Sequence, residues 1–173
     1  KDQAKKQEQV EKDTDLGQEK HTLNQSSYAF PNEPSRFSPA DIDRLLVHCH
    51  EQEASDITLQ TNEPVIAEIN GRLHKITQRQ LSNTEVGDLL NAIYGPNGTT
   101  QILTGQDVDT HYELKPDRGS RFRYRVNGTG CQTDGHDGIQ ITLRTIPLEP
   151  PDLSWHDLPP SIIDALDPED GVI

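Results

Sequence analysis

Hydrophobic positions along the chain fall into two rhythms, and each rhythm predicts a kind of element. Ile42, Leu45, Leu46 and Cys49 recur at i, i+3, i+4 and i+7, the spacing of an amphipathic helix. Ser38 is a good N-cap and Pro39 suits the first helical position, so this helix is expected over residues 38–53. Val86, Leu89, Leu90 and Ile93 make a second stripe. The Ser82-Asn83-Thr84-Glu85 capping box opens it, and Gly95-Pro96-Asn97-Gly98 breaks it. A short helix is expected over residues 99–103, ended by Gly105.

Alternation with period two takes over elsewhere. Residues 56–60, 64–69 and 72–76 read as strands, with Asn70-Gly71 as a two-residue hairpin signal. Residues 107–114, 120–129 and 139–146 read as three more, the first two joined by a Pro116-Asp117-Arg118-Gly119 turn. The expectation is an α+β domain over residues 37–146: a mostly antiparallel sheet with helices packed on one face.

Both ends lack a rhythm. Residues 1–36 offer few apolar side chains beyond Val10, Leu16, Leu23, Tyr28 and Phe30. They read as a polar, disordered extension, in which residues 1–13 flicker as a polar helix and residues 24–36 form a linker. Order is expected to begin at Phe37. Residues 147–151 are proline-rich and read as a stiff extended linker. Residues 158–166 read as a short helix, and Gly171-Val172-Ile173 as the first residues of a buried strand.

Composition narrows the function. The 173 residues allow one domain plus tails. Hydrophobic residues make up 31% and mean hydropathy is -0.80, low for a compact globule because of the polar start. A net charge of -13 argues against a general nucleic-acid coat. No apolar run approaches the roughly 20 residues of a membrane helix, and no signal-peptide pattern is visible, although a chain beginning at Lys1 fits a piece cut from something longer. Cys49 and Cys131 lack metal-site spacing and read as free thiols in a reducing cytosol.

Against this acidic background one stretch stands out. Beyond residue 36 there are ten Lys or Arg against twenty-two Asp or Glu, and four of the ten (Arg118, Arg121, Arg123 and Arg125) lie within eight residues. In an extended strand Arg121, Arg123 and Arg125 share one face. They repel one another unless an anion or acidic partner meets them. The planar guanidinium fork suits phosphate or carboxylate. Either this is an anion clamp, which Arg144 joins if its strand lies alongside, or a solvated face paired to Asp107, Asp109 or Glu113 on the preceding strand.

Other clusters read as ordinary surface. Asp107, Asp109 and His111 share a strand face, but no second ligand set with metal spacing accompanies them. His48 and His50 diverge by roughly 200° on a helix and cannot chelate together. Asp167, Glu169 and Asp170 read as a solvated loop. No local pattern supports a Ser/His/Asp or Cys/His nucleophile. No G-x-x-x-x-G-K-[ST] phosphate loop occurs in these residues.

Six motifs then occur in a telling order: Ser55-Asp56-Ile57-Thr58-Leu59, Asn70-Gly71-Arg72-Leu73, Asp107-Val108-Asp109 through Tyr112-Glu113, Arg123-Tyr124-Arg125-Val126-Asn127, Leu143-Arg144-Thr145-Ile146-Pro147 and Leu158-Pro159. Over residues 37–173 this succession resembles the N-terminal domain of the secretion traffic ATPases, the pilus-retraction (PilT-like) motors and type IV secretion ATPases. Within that superfamily it looks most like the cytoplasmic ATPase of type IVB systems, of the Dot/Icm or the conjugative-plasmid transfer kind. The resemblance implies a PAS-like domain followed, after the proline-rich linker, by a RecA-like ATPase domain whose phosphate loop begins just past residues 171–173. It implies a homohexamer with ATP and Mg held between the two domains, at the inner-membrane secretion complex. It places Arg125 and Arg144 where family arginines reach nucleotide phosphates, with Arg121 and Arg123 as helpers. Two rival readings are a PAS-like ligand-binding module without a motor, and an adaptor that docks an acidic partner through the arginine face.

Overall fold

The computed structural model describes residues 27–149, 152 and 158–165. Six strands form one antiparallel sheet: β1 (Ala54–Gln60), β2 (Ile66–Ile69), β3 (Arg72–Lys75), β4 (Val108–Leu114), β5 (Phe122–Thr133) and β6 (His136–Ile146). Helix α1 (Pro39–Glu51) precedes β1, and α2 (Asn83–Tyr94) and α3 (Gly98–Leu103) lie between β3 and β4. A six-residue helix, α4 (Pro160–Ala165), follows the sheet in sequence. The strand order is β3-β2-β1-β6-β5-β4, so two three-stranded meanders meet along β1 and β6. This is the expected α+β architecture.

Helices α1, α2 and α3 pack on one face of the sheet. Ile57 and Leu59 of β1, Ile139, Ile141 and Leu143 of β6, and Tyr124 and Val126 of β5 are buried there. They meet Leu45 and Leu46 of α1 and Leu89 and Leu90 of α2 in a single core. The Tyr124 hydroxyl donates to the Leu46 carbonyl at 3.2 Å, tying β5 to α1. On β5 the backbone comes close to the helices at Gly128, where a Cβ would lie 3.1 Å from the Leu90 side chain.

The turns follow from local chemistry. Asn70 and Gly71 both take positive φ, at 52° and 70°, as the expected type I′ hairpin requires. Asp134 and Gly135 repeat the device, at 52° and 77°. That second hairpin corrects the strand bounds read from sequence, which ended β5 at residue 129 and began β6 at residue 139. The small and polar run from Gly128 to Gly138 hides the strands because its first and last glycines answer crowding: a Cβ on Gly138 would lie 3.0 Å from Thr61.

The reading of residues 24–36 as linker is corrected for residues 27–36, which pack. Phe30 is buried beside Phe37, their rings 6.1 Å apart, and its N–H donates to the Ile76 carbonyl at 2.8 Å. Glu33 accepts from the Gln78 N–H at 2.7 Å and the Arg79 N–H at 3.2 Å. The first helix ends at Glu51 rather than near residue 53, where Glu53 enters the left-handed region with φ 57°. The expectations for residues 1–13 and 171–173 lie outside the described residues, as does the end of the expected helix at residue 166.

Glu85 knots this end of the domain together. It is 4% exposed, ion-paired to Arg79, and accepts from the Phe37 N–H at 2.8 Å and the Ser82 N–H at 2.9 Å. Burial alone raises a carboxyl pKa, but the bonds from Arg79, Ser82 and Phe37 outweigh it and hold Glu85 down at about 2. A folded pKa below the unfolded value stabilises at neutral pH, and the gain vanishes as pH falls from about 4.5 to about 2. A Glu85→Gln variant is therefore expected to lose about 3 kcal/mol at pH 7. In urea titrations the gap to the parent narrows as pH drops through that window.

Candidate functional site

The face of the sheet turned away from the helices is polar. Period-two alternation sends Tyr124, Val126 and Gly128 of β5 inward and Arg123, Arg125, Asn127 and Thr129 outward. On β6 Gln140, Thr142 and Arg144 point outward, and on β4 Asp109, His111 and Glu113 do. Strand register then aligns Glu68, Asp56, Arg144, Arg125 and His111 in one row across β2, β1, β6, β5 and β4. The neighbouring row runs Ile66, Thr58, Thr142, Asn127 and Asp109.

Arg125 and Arg144 are thus direct cross-strand neighbours, a spacing of about 5 Å between Cβ atoms. They share a shallow cavity of about 330 Å³ with Asp56, Asp109, Asn127 and Thr142. The strand of Arg144 does lie beside the arginine strand, the condition on which it could join Arg125. Each guanidinium has an acid within reach. Arg144 Nε donates to Asp56 Oδ1 at 2.7 Å, and the hydrogen bond and charge of Asp56 raise the arginine's pKa further. Arg125 lies 3.8 Å from Asp109 Oδ1. Both arginine side chains remain over 70% exposed, so an external anion can reach them.

The other two arginines sit elsewhere. Arg121 precedes β5 and lies 3.6 Å from Glu113. The hydrogen bond from Lys115 and the charges of Arg121, Lys115 and Arg123 hold Glu113 below the usual carboxylate range. Arg121 borders a separate cavity of about 390 Å³ with His50, Phe122, Ile146 and Leu148. Arg123 points a terminal nitrogen at the Pro147 carbonyl, 3.4 Å away, and its Nε is buried without a hydrogen-bond partner among the described residues. Register therefore gathers Arg125 and Arg144 and leaves Arg121 and Arg123 toward the point where the chain leaves the sheet.

Sequence reading missed Asp56, Asn127 and Thr142 as walls of this cavity. Asn127 and Thr142 carried a signal, since both lie two residues from an outward arginine on their own strands. Asp56 carried none, because its pairing with β6 spans 88 residues of chain.

No protein-family model matches the chain, and no curated protein does. Solved structures do. The crystal structure of the Legionella pneumophila ATPase DotB is 61% identical with a TM-score of 0.73, over 83% of this chain and 39% of that one. The Yersinia pseudotuberculosis ATPase DotB is 27% identical with a TM-score of 0.69, over 81% and 38%. The pilus retraction motor PilT with bound ADP, at 21% identity and a TM-score of 0.53, shares the fold over 71% of this chain and 34% of its own. The chain thus spans under two-fifths of the length of each of these solved chains.

Exposed ion pairs contribute little to stability. Replacing Arg125 by Ala is accordingly expected to shift unfolding free energy in urea by less than about 1 kcal/mol. A loss above about 2 kcal/mol would give the residue a structural role instead.

Proposed function

The chain belongs to the secretion traffic ATPase superfamily, on its Dot/Icm side, and from that premise we propose that it forms the N-terminal domain of a hexameric ATPase powering type IVB secretion or conjugative transfer. One observation carries the reading: 61% identity, over 83% of this chain, to a protein described as an ATPase. Residues 147–173 then lead into a RecA-like domain that binds ATP and Mg. The partners are that domain, neighbouring subunits of a homohexamer and inner-membrane components of the secretion system. The setting is cytoplasmic, peripheral to that complex. No helix among the described residues is long and apolar enough to cross a membrane.

In this reading Arg125 and Arg144 meet the phosphates from the open face of the sheet. ATP hydrolysis spreads negative charge over the transferring phosphoryl oxygens, and a positioned guanidinium stabilises that charge more than the ground state. The arginines sit on one domain and the phosphate loop on another, so the charge is met only when the domains close. Hinge motion about the residue 147–151 linker links turnover to mechanical work. Magnesium, held with ATP by the RecA-like domain, would supply further neutralisation of the phosphate charge. What supports this reading is access: both side chains stay over 70% exposed beside their acids, open to an arriving phosphate.

In the full-length protein Arg125→Ala or Arg144→Ala is expected to leave hexamer assembly intact, as checked by size-exclusion with light scattering. Phosphate release should fall about 10²–10³-fold. A variant turning over at the parent rate would remove that residue from the clamp. Residues 1–173 alone, which contain no phosphate loop, are expected to release no phosphate.

A further inference from the structure

We propose that Asp56 is the positioning residue for Arg144, aiming its guanidinium across the open face toward the phosphates; this rests on the reading of Arg144 as a phosphate-facing arginine. The argument begins with a fault in β1. Ala54 pairs with Ile69 and Asp56 with Glu68, so β1 advances two residues while β2 advances one, a bulge at Ser55.

The bulge has a defined effect. With unbroken alternation Asp56 would share the face of Ala54, which is buried. Ile57 and Leu59 stay in the core and alternation puts Asp56 on the open face with Thr58 and Gln60, so the extra residue is what lets Ala54 be buried and Asp56 face outward on one strand. The strand next door secures this geometry. Thr145 Oγ1 donates to the Ala54 carbonyl at 2.8 Å, and Ser55 Oγ donates to the Glu68 carbonyl at 3.4 Å. Adjacent residues of β6 therefore serve the same device: Thr145 clamps the bulge, and Arg144 takes the carboxylate that the bulge presents.

The contact itself is directional. It uses Nε of Arg144 and Oδ1 of Asp56, at 2.7 Å. A guanidinium carries five N–H donors in a fixed plane. Holding Nε from one side orients the whole fork and leaves its terminal nitrogens to the cavity shared with Arg125. The Asp56 side chain is 18% exposed and Arg144 is 71% exposed, so a half-buried anchor holds an accessible cation. Among the described residues Arg125 is held less closely: its acid, Asp109, is 3.8 Å away and 64% exposed. The two arginines differ in preorganisation, Arg144 held in place and Arg125 able to adjust.

The test uses Asp56→Asn, Arg144→Ala and the double variant in the full-length ATPase, with Asp88→Asn on α2 as a control for the loss of one carboxylate. Asp56→Asn is expected to lower kcat about 10- to 100-fold with KM within about threefold. On the Arg144→Ala background it is expected to add nothing further. Independently of turnover, the Nε–H resonance of Arg144 in the 1–173 chain should lose its hydrogen-bonded shift in Asp56→Asn and keep it in Asp88→Asn. If Arg144→Ala turns over at the parent rate, the nucleotide reading falls and takes the proposal with it. If Arg144→Ala is impaired but Asp56→Asn is not, the proposal alone fails. It also fails if the Arg144 resonance is unmoved, if the two substitutions add independently, or if Asp88→Asn loses as much activity.

Discussion

The antiparallel seam between β1 and β6 is the constraint on which the rest of the molecule depends. Each meander alone has a single hydrophobic face and an unpaired edge. Joining Asp56 through Gln60 to Arg144 through Gln140 makes one sheet wide enough to carry α1, α2 and α3 on a common core. Its strands lie about eighty residues apart in sequence, so its closure costs loop entropy that the buried row of Ile57, Leu59, Ile141 and Leu143 must offset. The same seam brings the acid of one meander against the arginines of the other. Fold and candidate site are two faces of one pairing.

The helix-bearing face was largely legible in the sequence. The stripes of α1 and α2, the capping box at Ser82 and the Asn70-Gly71 hairpin are local signals, and local signals survive without knowledge of the tertiary structure. What was missed depends on long-range packing. The strand between Gly128 and Gly138 looks broken by residues whose smallness only makes sense against Leu90 and Thr61. The segment before Phe37 looks like linker because two apolar residues, Tyr28 and Phe30, give no period. They dock on surfaces made by His48 and His74, distant in sequence, and by the nearby Phe37.

The site divides in the same way. That arginines on β5 share a face follows from period two. That Arg144 joins Arg125, while Arg121 and Arg123 lie toward the start of the 147–149 segment, follows from strand order and register, which no local pattern reports. Asp56 was the least visible residue of all. Alternation puts it on the polar face with Thr58 and Gln60, but only the pairing of β1 with β6, 88 residues away, brings it to Arg144.

Alternation along each strand has a consequence for how such a domain can change over generations. Inward and outward positions are interleaved but contribute to different physical properties, one to cohesion and the other to chemistry. Outward positions can be exchanged for others of different charge at small thermodynamic penalty, so specificity can drift while the scaffold persists. The bulge at Ser55 is where the two sets are coupled: inserting or deleting a single residue there would break the phase that lets Ala54 face the oil-like interior while Asp56 faces outward.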